Sequence, residues 1–256
     1  MIELIQDDAI AALKRLLEQG QTWDYCCTSP PFFNLIDYGH PGQYGLEQSL
    51  NGYLDLIQDA FRLIYEGMAQ RGVMWLNIAP TISGYSTVKP RGRRSAATSR
   101  RKPTPGYRSG EEIPVPWLLL ERLQADGWFH RETLIWHQGH ANQQPGNVPT
   151  RNFEYIFVLG KHEITRPKLD YGPTSSSVLI YPSESHPEHP CKMAQGLADV
   201  LLSSATRKNA TVIDPFMGTG TTAIAAHRRG YDAIGIDLNI GTAQADTAAL
   251  QQTLKL

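Results

Sequence analysis

No apolar run in the 256-residue chain approaches the roughly 20 residues that a membrane-spanning helix requires. The opening residues, MIELIQDDAI, have neither the basic nor the long apolar region of a signal peptide. Cysteine is scarce: Cys26, Cys27 and Cys191 make neither a disulfide framework nor a Cys-x-x-Cys metal pair. His186 and His189 stand near Cys191, but prolines break that stretch, so the two imidazoles share no helix face and no metal is expected. These absences predict a soluble, cytoplasmic protein with no membrane partner.

Net charge is also missing. A formal charge of −1 does not announce a nucleic-acid binder, but acidic residues are absent from one segment in particular. Between Tyr85 and Gly110 stand Lys89, Arg91, Arg93, Arg94, Arg100, Arg101, Lys102 and Arg108, with no carboxylate among them. The segment is rich in Ser, Thr, Gly and Pro and reads as a basic mobile loop over residues 85–112. Either a solvated linker or a clamp that orders on a polyanion has this composition.

The remainder alternates between strand and helix signals. Seven strands are expected: IELIQ, WDYCCTS, GVMWLNIA, FHRETLIWHQ, FEYIFVLGK, ATVIDPF and YDAIGIDL. Between them lie amphipathic helices, including one from Leu46 to Gly72 and one spanning 189–206. Residues 162–185 read as irregular. Such alternation predicts an α/β fold, a mostly parallel Rossmann-like sheet with helices on both faces. No second apolar core stands outside the pattern, so residues 1–256 are expected to form a single domain with insertions.

Two stretches carry chemistry. Near the C-terminus a strand runs into Asp214, then Phe216-x-Gly218-x-Gly220, a helix from Thr221, and a strand ending on Asp237. Glycines there let backbone approach a ligand, and a strand-terminal acid stands where a ribose diol is gripped. The third glycine of the dinucleotide fingerprint is absent, as is the Gly-Lys-Ser/Thr of a P-loop. A ligand with a ribose but no pyrophosphate fits, S-adenosylmethionine above all. Near the N-terminus, CCTSPPFF ends a strand on two prolines, which cannot continue a ladder.

Together, DPFMGTGTT and TSPPF, with the TSPPF motif first, resemble the amino-methylating DNA methyltransferases of the β arrangement. The resemblance covers most of the chain. It implies a seven-stranded, circularly permuted methyltransferase fold and S-adenosylmethionine as cofactor. Thr28, Asp214, Phe216, Gly218, Gly220 and Thr221 would surround the cofactor, Asp237 would hold its ribose, and Asp8 would sit near its adenine, although Asp8 reads equally well as a helix cap. Ser29, Pro30, Pro31 and Phe32 would form the catalytic motif. The Ser29 hydroxyl and the Pro30 carbonyl accept the amine hydrogens of a flipped-out base, and Phe32, or less favourably Phe33, stacks on it.

In this family Ser before Pro-Pro goes mostly with cytosine N4, and Asp or Asn with adenine N6, so cytosine N4 leads and adenine N6 stays open. A non-catalytic DNA-binding relative is a further alternative. Implied partners are double-stranded DNA and a cognate restriction endonuclease, with the enzyme a monomer or homodimer. Residues 162–185 are short for a target-recognition insertion. The basic loop, the segment 138–150 and Arg151 are therefore expected to help hold the duplex. Asn77, at the end of GVMWLN, reads either as pocket lining or as a strand terminator.

Overall fold

The computed structural model describes residues 1–47, 49–86, 99–100, 102–139, 151–162, 176–184, 192–205 and 207–253. In chain order the elements are β1 (Ile2–Gln6), α1 (Ala9–Glu18), β2 (Trp23–Thr28), α2 (Leu50–Gly67) and β3 (Met68–Ile78). Four short strands follow: β4 (Thr81–Ile82), β5 (Tyr85–Ser86), β6 (Ser99–Arg100) and β7 (Glu112–Ile113). Next come α3 (Val115–Ala125), β8 (Phe129–His137), β9 (Phe153–Gly160), β10 (Val178–Ile180) and α4 (Gln195–Ser203). The chain continues through β11 (Thr211–Asp214), α5 (Thr221–Arg228), β12 (Asp232–Asp237) and α6 (Gly241–Thr253).

Eight strands make one sheet in the order β1-β12-β11-β2-β3-β9-β8-β10. All pairs are parallel except those on either side of β9. The N-terminal strand lies beside the C-terminal one, with Gln6 opposite Asp237, as the permuted order implies. All seven expected strands are present. The eighth, β10, falls inside the stretch read as irregular. Three residues carry too little alternation to be seen in sequence, and this strand exists through its pairing with β8.

The helix expected to run to Gly72 stops at Gly67 instead. A Cβ on Gly67 would come within 2.3 Å of the Trp23 ring, so the buried indole occupies the space beside the backbone there. Met68 then turns extended and pairs with Trp23, which lengthens β3 toward its N-terminal end. Part of the basic segment is also tied down. Strand β7 pairs with β4, and Ser83 is bonded by the Thr104 and Gly110 amides.

Side chains alternate across a strand, so parity divides the sheet into two cores. Cys26, Met74, Leu76 and Phe157 face α1, α2 and α3. Tyr25, Cys27, Trp75, Trp136 and Ile156 face α4 and α5. Burial raises the thiol pKa of Cys26 and of Cys27, so both are held protonated in the sheet interior and neither serves as a nucleophile.

Candidate active site

Strands β2 and β11 are hydrogen-bonded neighbours and run parallel, so the two motifs leave the same edge of the sheet. Ligand crevices in open α/β sheets form at that carboxyl edge. A solvent-open cleft with about 610 Å³ of empty space lies there, bordered by Ser29, Pro30 and Phe32 on one side and by Asp214, Phe216 and Gly218 on the other.

The motifs are joined by a hydrogen bond as well as by the sheet. Thr28, fully buried, donates through Oγ1 to Asp214 Oδ1 at 2.7 Å. The Phe216 amide donates to the same oxygen at 3.1 Å. Thr28 therefore belongs to the site by holding Asp214, with no exposed surface of its own. Burial raises the Asp214 carboxyl to about 6, against the pull of the hydrogen bonds from Thr28, Thr222 and the Phe216 amide.

Beyond Asp214 the chain turns sharply. Gly218 has φ +56° and Gly220 has φ +82°, a region costly for residues with a Cβ. Gly220 also packs closely on α6: an added Cβ would lie 3.3 Å from Ala243 Cβ. Asp237, at the end of β12, accepts the Gly218 amide at 2.8 Å and the Asn239 amide at 2.9 Å. The strand-terminal acid thus braces the glycine turn. Phe216 packs edge-on to Tyr44 and Phe61, with ring centroids 5.7 and 6.3 Å apart. Thr221 opens α5 and is buried at the cleft wall.

Asp8 caps α1: its Oδ1 accepts the Ala11 amide at 3.0 Å, and its Oδ2 accepts the Tyr44 hydroxyl at 2.8 Å. Both oxygens are engaged within the fold, which is the helix-cap reading. Phe32 is 8% exposed, lining the cleft on one side and packed in the core on the other. Phe33, the lesser stacking candidate, is a correction: it is 1% exposed and packs against the Tyr53 ring, centroids 5.4 Å apart, so it has no face for a base.

Tyr53 also holds the TSPPF motif. Its hydroxyl donates to the Pro31 carbonyl at 3.0 Å, and burial keeps the phenol protonated. The motif loop is held from its other side by Gly45, whose carbonyl accepts the Asn34 amide at 2.6 Å. Tyr53→Phe should leave that Pro31 carbonyl without its donor, costing about 1–2 kcal/mol of stability. Its methyl-transfer rate should fall severalfold with cofactor affinity unchanged, as read by thermal melts, single-turnover rates and calorimetry. An unchanged rate would show that the loop needs no such anchor.

Several expected DNA contacts fall on different ground. Arg91, Arg93, Arg94 and Arg101 lie outside the described residues, as do Lys89, residues 140–150, His186, His189 and Cys191. Arg100 belongs to β6. Lys102 is exposed and Arg108 projects into solvent, 92% exposed with a loose ion pair to Glu111. Arg151 differs: its guanidinium donates to the Pro80 carbonyl at 2.8 Å and pairs with Glu112. A phosphate would have to displace both contacts.

Sequence reasoning missed two groups. Lys192, paired with Glu184 at 3.3 Å, borders the cleft together with Met193, placed by an isolated antiparallel bridge to Glu184 that no hydrophobic period reports. Glu154 stands beside Asn77, and Gln138, the first residue of the segment expected to help hold the duplex, is instead bonded to Glu154. Asn77 Nδ2 donates to Ser29 Oγ at 3.2 Å and to Glu154 Oε2 at 2.7 Å, and Gln138 Nε2 donates to Glu154 Oε1 at 2.7 Å. Burial raises the Glu154 carboxyl above the ordinary range. An acid at an inward-facing parity of FEYIFVLG was the available signal.

With this geometry in view, the chain matches the N6_N4_Mtase DNA methylase family over residues 23–247. The chain belongs to this DNA methylase family. Over 257 residues it is 33% identical to the Type II methyltransferase M.SmaI of Serratia marcescens, covering 93% of this chain and 86% of that protein. Its fold is that of two solved structures. The PvuII DNA methyltransferase (cytosine-N4-specific) aligns with a TM-score of 0.66 at 14% identity, over 93% of this chain and 82% of that one. The M1.HpyAVI–SAM complex aligns with a TM-score of 0.62 at 18% identity, over 97% and 98%. Among the described residues no helix of this DNA methylase is long and apolar enough to cross a membrane.

Proposed function

We propose that this DNA methylase transfers the methyl group of S-adenosylmethionine to the exocyclic N4 amine of a cytosine flipped out of duplex DNA. The observation that carries the reading is the meeting of the two motifs at one cleft, joined by the Thr28–Asp214 hydrogen bond. The residues fit the cofactor. The positive-φ turn at Gly218 and Gly220 leaves backbone open to a ligand, and Asp214 and Asp237 stand at the ends of the two adjacent strands β11 and β12. When bound, the cofactor supplies an electrophilic methyl group on a sulfonium.

The chain's own part is to orient and desolvate the acceptor. An exocyclic amine is a weak nucleophile because its lone pair is delocalised into the ring. Ser29 Oγ and the Pro30 carbonyl, accepting its hydrogens, favour the tetrahedral nitrogen that attacks. The tandem prolines fix that carbonyl's direction with little loss of chain entropy on folding. No enzyme nucleophile is required. The choice of cytosine rests on Ser29 preceding Pro-Pro, and the cytosine-N4-specific PvuII enzyme with the same fold supports it. Kinship with M.SmaI supports a place in a Type II restriction-modification system, with a cognate endonuclease as partner. The exposed Lys102 and Arg108, with the basic segment that contains them, supply the charge for a DNA backbone.

The test is product identity. Unmethylated duplex DNA is incubated with labelled cofactor, digested to nucleosides and resolved by mass. N4-methylcytosine is the expected product. N6-methyladenine would move the target to the other amine, and cofactor binding with no methylated nucleoside would overturn the reading.

A further inference from the structure

Strand parity places four polar groups on one face at the sheet's edge. Ser29 follows Tyr25 and Cys27 of β2, Asn77 follows Val73 and Trp75 of β3, Glu154 precedes Ile156 and Val158 of β9, and Gln138 follows Leu134 and Trp136 of β8. They form a continuous chain, Ser29–Asn77–Glu154–Gln138, whose three links measure 3.2, 2.7 and 2.7 Å. Asn77 is 2% exposed, and its Oδ1 is buried without a hydrogen-bond partner.

That bare oxygen is informative. An amide can be turned by 180° with almost no change of shape, so its orientation is decided by its neighbours. An ionised carboxylate only accepts. Turning Asn77 would set Oδ1 against Glu154 Oε2, oxygen against oxygen. The carboxylate therefore dictates that Asn77 presents its N–H groups, even though Oδ1 is left unpaired. One N–H goes to Glu154 and the other to Ser29. Gln138 is bound by the same logic at the other carboxylate oxygen.

We propose that Glu154 is a positioning residue for methyl transfer: it sets the Asn77 amide, and the amide sets the hydrogen-bonding pattern that Ser29 offers the base. With Asn77 donating to Oγ, the serine keeps one lone pair and its own O–H for the cleft. That pair matches the edge of an aminopyrimidine or aminopurine, where an amine N–H lies next to a ring nitrogen lone pair. With the amide reversed, Asn77 Oδ1 would take the serine O–H, and the match would be lost. The inference rests on the reading of Ser29 as the amine acceptor.

The test compares single-turnover transfer to unmethylated genomic duplex DNA, and cofactor affinity, in the wild type, Glu154→Gln, Ser29→Ala and the double variant. A glutamine at 154 both accepts and donates, so Asn77 is no longer held by a group that only accepts, and its amide is free to turn. Glu154→Gln should lower the transfer rate at least tenfold, with cofactor affinity within twofold of wild type. In the Ser29→Ala background the same substitution should cost less than twofold, because its effect passes through Ser29. An undiminished cost in that background, a wild-type rate in Glu154→Gln, or a parallel fall in cofactor affinity overturns the proposal. Should Glu154→Gln fail to fold, Asn77→Ala cuts the same chain and carries the same expectations. A Ser29→Ala variant with full activity is a different outcome: it removes the reading of Ser29 itself.

Discussion

Ser29→Ala is expected to lower the rate of methyl transfer about 10²-fold, the scale seen when one hydrogen-bonding group is removed from a site that stabilises developing charge. Ser29 is half-buried at the cleft, directly after the strand residue that holds Asp214. Its Oγ is already oriented by Asn77. On the proposed reading, removing it takes away one of two acceptors for the amine and leaves the Pro30 carbonyl. The glycine turn proposed to hold the cofactor is built from other residues, chiefly Gly218, Gly220 and Asp237, so cofactor affinity should stay within about twofold of wild type. One N–H of Asn77 loses its partner, which costs about 1 kcal/mol of stability. Single-turnover rates at saturating cofactor, beside calorimetric affinities, separate these effects. A variant with the wild-type rate would mean that the amine is held by other groups.

The second large effect concerns Asp214, where stability and binding pull apart. Its carboxyl is raised from an ordinary 3.8 to about 6, chiefly by burial. Between those values the folded chain holds a proton that the unfolded chain has released. Stability is therefore greatest below pH 3.8 as far as this group is concerned, and it declines as pH rises to about 6. Above that, the buried charge costs about 3 kcal/mol. Asp214→Asn removes the charge while its Oδ1 still accepts from Thr28 and the Phe216 amide. The variant should melt at a higher temperature than wild type at pH 7.5, with a smaller difference at pH 5. Its affinity for the positively charged cofactor should fall at least tenfold, because the cleft loses its buried carboxylate. Thermal melts at the two pH values and calorimetry check both halves. A variant less stable than wild type at pH 7.5 would show that hydrogen bonds to the ionised form outweigh its burial.

Much of the site was legible because its signals are local. Asp214, Phe216, Gly218 and Gly220 follow a strand and precede a helix, and a turn that tight can be made by few residues other than glycine. The two prolines of TSPPF end a strand wherever they occur. Asp8 was open between two roles, and only the placement of Tyr44 against it showed how its second oxygen is engaged. Phe33 and Arg151 carried residue types suited to a base and a phosphate. The fold gives them to Tyr53, and to Pro80 and Glu112. Nothing in the neighbouring sequence could have announced those partners.

By itself the sequence determined the alternation of strands and helices, the family and the two motifs at the cleft, because hydrophobic period and turn chemistry act over a few residues. Only the tertiary structure decided that Thr28 serves Asp214, that Asp237 braces the turn it faces, and that Glu154 stands two hydrogen bonds from Ser29. Those partners lie 186, 19 and, at Glu154, 125 positions away along the chain. Sheet register brings them together, and register is set by the summed burial of both faces rather than by any one segment.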